Sequence, residues 1–548
     1  MTMTLAVPTQ NPPGGPESHN GHSDDVLGNP LGSQDVTGVR GGAHMYGACS
    51  IESFCNAGAL SLTHEDAQGW ANYVAQFNAL NFRFYDSSVQ PWAYYEAYDN
   101  WQDTYGVDAV RAFYHSGHGG MDANGVFYAP LGGSWGNEGC TAISSKMRLG
   151  NEYLRYIFWS TCLSLRVLDG HSPIRTWNNS TLGLRMIFGF ETVSVDDPNY
   201  GKFFWEEWNR NGRKLSQAWL DASWRIAHNQ APSVAACGSS AVDAQSRLYN
   251  EQYFQPQPVS HDWWWWRWYN AASLARESSR TVPRQPLVAN LRPLSESWAR
   301  MAEIADGLAF GARNGIQGSY PEGGASPVRI GADGRIVARL AEANRSNRGA
   351  FGAQRALARA GEAIEQYGLA QNVQLVFDRV MLANEAGGSA AGSGAMEGPF
   401  TTETVVQFRQ QIDGLPVITP GAGVVRISLD NDGTVTSVQS AVREVEGLSA
   451  RLQSSVTPPP GSPALSADPR PESEGDAEAA LRTAFGRRLA SLAVRGEVPV
   501  GYQVVPGTTE VGYHIQGDSA ALITHQQVEV DFGGGYRKRY WVSAPLVS

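Results

Sequence analysis

The stretch 110-VRAFYHSGHGGMD-122 decides how the first half of the chain is read. Its apolar run has the length and aromatic content of a buried strand, and it stops abruptly in two histidines set among glycines. Further on, 153-YLRYIFWSTCLSL-165 repeats the pattern: apolar up to Ser160, then Cys162. In an open α/β sheet the carboxyl ends of the strands line the ligand crevice, so residues that end adjacent strands can meet there. A thiol is a useful nucleophile only as thiolate, and a nearby imidazole makes that possible near neutral pH. The pair therefore reads as a general base, His118, and a nucleophile, Cys162. The glycines after His118 let the backbone approach a substrate, and the amides of Gly119 and Cys162 can face a developing oxyanion.

Blander readings stand beside this one. A buried cysteine at a strand end is usually a small apolar filler, and a histidine among glycines often caps or packs. His115 reads as packing within the sheet. His115 and His118 with Cys140 or Cys162 would be three zinc ligands, but a fourth is not apparent. Asp86, ending 81-NFRFYD-86, is a candidate to orient His118 or line a pocket, with a turn cap as the plainer alternative. Cys49, Cys55, Cys140 and Cys237 read as structural or incidental.

Working outward, apolar runs alternate with amphipathic stretches: AHMYGAC, DAQGWANYVAQF, NFRFYD, AVRAFYH, YIFWSTC and LRMIFGF. Strands separated by helical segments predict βαβ units and a mainly parallel sheet, hence an α/β fold. Phe204, Trp208, Leu215, Trp219 and Trp224 recur at helical spacing and predict helices on that sheet. The run 261-HDWWWWRWYN-270 reads as a core plug or domain seal, with a stacking surface for a ligand or partner as the alternative.

The second half changes character. EAGGSAAGSGAMEG (385–398) and VTPPPGSPALSADPRPESEGD (456–476) read as linkers or long loops. VRIGADGRIVARL and VVRISLDNDGTVTSVQS each read as a hairpin around an Asp-Gly turn, and FGAQRALARAGEAIEQYGL and DAEAALRTAFGRRLASL as helices. The expected organisation is a disordered arm (1–38), an α/β domain (39–275), a connecting helical segment (276–324), an α+β module (325–455), a Pro-rich linker (456–476) and a last module (477–548).

YHSGHGG resembles the F-Y-Y-S-G-H-G block of metacaspases and other caspase-like cysteine peptidases, the superfamily that includes separase-like CHAT proteases and gingipains. The resemblance implies that His118 is catalytic, that Cys162 ending the next strand is the nucleophile, and that protein or peptide is the substrate. Their separation of 44 residues is close to the roughly 50 seen in caspases. From Gly41 to Gly238 the pattern is similar to a bacterial caspase-like family, with Trp177, LGLRMIFGFET and QAWLDA as its later elements. The Q-A-C-x-G and D-x-C-H-S-G blocks are absent. Ser160 stands where metacaspases carry an acid that receives a basic residue, which leaves Ser160 a possible pocket residue and basic specificity unsupported.

Residues 401–438 resemble the fungalysin/thermolysin propeptide module at Arg409, Gln410, Gly414, Leu415, Pro416, Val417, Gly423, Asp430 and Gly433. The last segment resembles the related PepSY module. In that family such modules chaperone and inhibit a metallopeptidase C-terminal to them, whereas here they follow the thiol domain and there is no zinc motif to guard, so inhibition is not implied by the resemblance alone. The expectation is a latent enzyme, a zymogen, with intramolecular inhibition by the C-terminal half, and the alternative is a fused sheet domain with no inhibitory role. A tethered module has a millimolar-scale effective concentration toward its own chain. A catalytically inactive caspase-fold scaffold, acting through a Trp-rich surface and the C-terminal modules, is the alternative.

The bulk numbers set limits. At 548 residues more than one core is expected. Lys+Arg 42 against Asp+Glu 53 gives a net charge of -11 and argues against nucleic acid or an anionic membrane as partner. Five cysteines make a disulfide scaffold improbable. No H-E-x-x-H, P-loop or dinucleotide fingerprint occurs, so no metal or cofactor is implied. Without a signal-peptide pattern or a transmembrane span a cytoplasmic location follows by default, with a secreted or cell-envelope location left open.

Overall fold

The computed structural model describes residues 28–31, 45–275, 277–278, 282, 288–315, 327–391, 396–449, 474–495 and 499–546. The fold is α/β. Strands β1 (Tyr46–Ser50), β2 (Phe82–Tyr85), β3 (Ala112–Ser116), β4 (Tyr156–Ser160) and β5 (Met186–Phe190) are parallel in the order β2-β1-β3-β4-β5. Helix α1 (Thr63–Val74) crosses between β1 and β2. Helix α2 (Tyr200–Trp205), the π-turn Glu206–Arg210 that follows it and helix α3 (Leu215–Ile226) carry Phe204, Trp208, Leu215, Trp219 and Trp224, all buried in the core on the sheet as expected, and Trp205 joins them. With both faces covered, the parallel strands read as continuous apolar runs.

Two antiparallel strands follow, β6 (Pro232–Gly238) and, after helix α4 (Ala241–Asn250), β7 (Trp263–Ala275). The tryptophan run lies in β7. Period-two alternation sends Trp265 and Tyr269 into one core and Trp264, Trp266 and Trp268 into the other. The expected seal is therefore what forms. The stretch offers no tryptophan surface to a partner, because Trp264, Trp265, Trp266 and Trp268 are buried and Trp263 is half-buried.

The sheet does not end where the first domain was expected to end. Beyond β8 (Val288–Leu291), helix α5 (Leu294–Gly315), β9 (Val328–Ile330), β10 (Ile336–Arg339) and helix α6 (Ala353–Gln366) come the long strands β11 (Gln374–Ser389) and β12 (Met396–Ile412). β7 pairs antiparallel with β11, and the sheet runs on through β12, β13 (Val424–Asp430), β14 (Val435–Ser440), β10 and β9. Both Asp-Gly hairpins form, but they combine in this one sheet instead of making separate units. Of the glycine-rich stretch 385–398, expected as a linker, residues 385–389 and 396–398 are strand, and residues 392–395 lie outside the described residues. Its small residues allow close approach: a Cβ on Gly387 would lie 2.0 Å from the Trp265 ring.

A second sheet holds β15 (Val445–Ser449), β16 (Gly501–Val504), β17 (Glu510–Gln516), β18 (Ser519–Asp531) and β19 (Arg537–Pro545), together with β8. The segment 276–324 is thus not only a helical connector, since β8 pairs with β15 and β18. Helix α7 (Glu474–Arg495) packs Leu481, Phe485 and Leu492 with Ala57 and Leu60 of the first half. Most of the expected linker 456–476 lies outside the described residues. Within the expected disordered arm, residues 28–31 are packed: Leu31 is buried in the first core, and the Phe254 amide donates to the Pro30 carbonyl at 2.8 Å.

Candidate active site

β3 and β4 are adjacent and in register, Ser116 opposite Ser160, so the residues that follow them emerge side by side at the carboxyl end of the parallel sheet. His118 and Cys162 both stand there and both are buried. Gly119 packs directly on the second loop: a Cβ at this position would lie 2.6 Å from the Cys162 carbonyl oxygen and 2.9 Å from the Thr161 Cβ. No larger residue fits, which is the reason for the glycine.

The two predicted side chains are brought to one place but are not bonded to each other. His118 Nε2 lies 3.0 Å from the Gly58 carbonyl, and its buried Nδ1 has no partner among the described residues. The Cys162 thiol donates to the Arg537 carbonyl at 3.1 Å and accepts from the Ser194 amide at 3.3 Å. The Ser194 hydroxyl is 3.5 Å from the same sulfur. Ser194 follows β5, and no sequence pattern had drawn attention to it.

Arg537 belongs to the last strand of the chain. β18 and β19 are joined by the turn Phe532–Tyr536, whose three glycines Gly533, Gly534 and Gly535 all have positive φ (79°, 61° and 85°). This turn sits on the histidine. The Phe532 ring lies 4.8 Å from the His118 ring and Tyr536 5.8 Å from it, with Phe54 also at 4.8 Å. A Cβ on Gly58 would meet Phe532 at 2.1 Å, so that glycine is what admits the ring.

Alternation along β19 turns Lys538, Tyr540, Val542 and Ala544 inward. Lys538 is the polar exception in that apolar series and is 2% exposed. Its Nζ donates to the Ser194 hydroxyl at 3.1 Å and to the Gly117 carbonyl at 3.4 Å. The strand then continues as an added edge. The Arg539 amide donates to the Ser194 carbonyl at 3.2 Å, and the Asp196 amide to the Arg539 carbonyl at 2.7 Å, a parallel bridge between Val195 and Arg539.

Burial, and then the Lys538 charge, lower His118 from 6.5 to about 3, with the Gly58 carbonyl acting weakly the other way. The imidazole is neutral across the physiological range and a poor base while the strand is in place. Asp196 is raised by burial, while Lys538 and Arg488 pull it back down. His115 is lowered to about 3 by burial and by Lys538, and its ring is fixed in the core by the Tyr94 hydroxyl at 2.8 Å.

Two other candidates are placed elsewhere. Asp86 accepts from the amides of Glu52 and Ser53 and pairs with His64 at 3.2 Å, so it fixes a loop and a different histidine and does not orient His118. His64 in turn meets the Ser50 hydroxyl at 2.8 Å, but Ser50 is only 1% exposed. Ser160 turns away from the thiol. It shares the buried carboxylate Asp66 with Ser116 and Tyr114, because the strand turns its side chain toward α1.

Cys55 and Cys140, read as structural or incidental, form a disulfide, a structural role, and Cys140 is therefore not available to a metal. Cys49, Cys162 and Cys237 are free thiols, and burial pushes Cys49 up to about 12 and Cys237 also upward. Among the described residues no group of three or more His, Cys, Asp or Glu is placed to hold a metal ion. Among them, too, no helix is long and apolar enough to cross a membrane.

The family model of a domain of unknown function, DUF6345, matches residues 45–269, the span from β1 into β7. No curated protein matches the chain.

Proposed function

We propose that this chain is a caspase-like cysteine endopeptidase held latent by its own C-terminal strand. The observation that carries the reading is that Arg537–Arg539 lies as an added strand along Ser194–Asp196, beside the Cys162 loop, with the Arg537 carbonyl 3.1 Å from the sulfur. Strand addition through main-chain hydrogen bonds is a common way for a peptide to be held. In the open enzyme, Cys162 attacks the scissile carbonyl and His118 takes the thiol proton. His118 then delivers it to the leaving amine, and the amides of Gly119 and Cys162 stabilise the oxyanion.

The closed arrangement opposes each step. Phe532 and Tyr536 cover the imidazole, Lys538 disfavours its protonation, and the Arg537 carbonyl occupies the approach to the sulfur. Because the module is tethered, modest contacts keep it seated. Activation is its displacement, by cleavage or by competition. The inactive-scaffold alternative loses its main support, since the tryptophans it would use are buried.

The test is peptide-library hydrolysis by full-length protein and by a Phe532→Ala/Tyr536→Ala variant, each with and without Cys162→Ala. Cleavage that appears in the double variant and vanishes with Cys162→Ala supports the reading. Absence of cleavage in a folded double variant whose Cys162 has become accessible would overturn it.

A further inference from the structure

A cavity of about 1040 Å³ lies between the two halves, and it shares no residue with the thiol site. Its lining includes seven Lys or Arg side chains against three carboxylates. Some of the charge is matched inside the protein. Arg213 pairs with Asp221 at 3.1 Å, and Arg329 donates to the Asn209 carbonyl at 3.0 Å.

Two deeper guanidinium groups keep buried N–H groups without hydrogen-bond partners among the described residues, although the Asp221 carboxylate acts on the charge of both and Glu403 on that of Arg267. Arg267, in the tryptophan strand β7, is 2% exposed, and its Nε and Nη2 have no partner among the described residues. Arg426, in β13, is 5% exposed; its Nε donates to Gln407 at 2.9 Å, but its Nη1 has no partner among the described residues. Arg345 reaches in from the opposite wall and stacks on the Tyr249 ring at 3.5 Å, the ring on which Arg267 also stacks at 4.6 Å. Buried donors without acceptors are costly, and seven cations facing three carboxylates leave the cavity with an excess of positive charge. A planar guanidinium fork suits the oxygens of phosphate, and several forks facing one space suit a ligand with more than one such group.

We propose that this cavity binds a small organic phosphate carrying at least two phosphoryl groups. Arg267, Arg426 and Arg345 take the phosphoryl oxygens. Asp221 and Glu403, which also line the cavity, are acceptors for hydroxyl or N–H groups on the rest of the molecule. The volume suits a ligand of nucleotide size. Burial lowers Arg426 to about 10, and a bound dianion acts in the opposite direction. Since Arg267 comes from the first half and Arg345 and Arg426 from the second, the ligand bridges the seam where β7 meets β11. It stabilises the native chain by mass action.

The test is calorimetric titration of full-length protein with inorganic pyrophosphate at fixed ionic strength, with sulfate as the control anion. Saturable one-to-one binding is expected, weakened roughly tenfold or more by Arg345→Ala and by Arg267→Gln, as loss of a charge-assisted contact implies. Arg482→Ala, at an exposed helix position, should leave it unchanged. Arg345 is only half-buried, so its variant decides the matter even if Arg267→Gln fails to fold. No saturable binding at millimolar pyrophosphate, equal binding of sulfate, or binding that Arg345→Ala leaves intact would overturn the proposal.

Discussion

The thiol site and the arginine cavity are both polar recesses closed by the second half of the chain, yet they end in opposite electrostatic states. At the thiol site the chain supplies its own occupant. Lys538 donates to Ser194 and Gly117, Arg537 offers its carbonyl to Cys162, and aromatic rings exclude water from His118. In the cavity, Arg267 and Arg426 keep N–H groups without partners among the described residues. A recess filled by its own chain has its groups bonded or covered by that chain. A cavity lined by seven Lys or Arg against three carboxylates keeps an excess of positive charge.

The largest effect expected is from removing the two rings. Truncating a buried aromatic typically costs about 3–5 kcal/mol, and each 1.4 kcal/mol is about tenfold in an equilibrium. Phe532→Ala/Tyr536→Ala should therefore raise the open population by on the order of a hundredfold or more, read as amide exchange across Arg537–Pro545. Unchanged exchange there would break the contrast.

Lys538→Met comes next. It removes the donor to Ser194 and Gly117 and leaves Asp196 without that neighbouring charge, a loss of about 1–3 kcal/mol. Opening should rise roughly tenfold, and the His118 pKa, followed by NMR, should move up from about 3. A His118 pKa that stays put would mean that Lys538 contributes little beside burial.

The pH dependence is smaller, and its sign follows from linkage. His118 is lowered from 6.5 to about 3 in the closed state, so the open state binds more protons between those values. Closure is therefore strongest above about 6.5 and weakens as pH falls toward 3. His115, lowered in the same way, adds to this trend. Asp196, raised by burial, has the opposite sign and blunts it. Exchange at Arg537–Pro545, corrected for intrinsic rates, should accelerate on acidification in the wild type, and less in His118→Ala.

Asp86→Asn should have the smallest effect. Its partners are His64 and the amides of Glu52 and Ser53, so the loop it holds should loosen by about 1 kcal/mol in a melting measurement. Cys162 should keep its reactivity. A large change at Cys162 would restore Asp86 to the site.

Much of this arrangement was legible in the sequence because local pattern decided it. Strands β1 to β5 read as apolar runs between helical stretches, and the Gly-flanked His118 and Cys162 stood at two strand ends. The Asp-Gly turns marked both hairpins. What was not legible depended on pairing between distant segments. Nothing around Trp263–Ala275 announces that its partner is Gln374–Ser389, so a continuous sheet was read as two domains. Glycines at 387 and 388 looked like a linker, when they are strand residues paired with Trp265 and Trp264, and Gly387 is the small residue that lets the strand lie against Trp265. Ser194 and Lys538 carried no motif. Lys538 was one cation in a basic stretch, and only the alternation of β19 turned it inward.

The central claim, a competent thiol held closed by the chain's own last strand, is tested most directly by alkylating Cys162. Intact protein, Phe532→Ala/Tyr536→Ala and the same variant with His118→Ala would each be treated with iodoacetamide near neutral pH, followed by peptide mapping. The account predicts slow labelling in the intact chain, fast labelling confined to Cys162 in the double variant, and loss of that rate without His118. A Cys162 that reacts in the folded double variant no faster than buried Cys49 and Cys237, or equally well without His118, would contradict it.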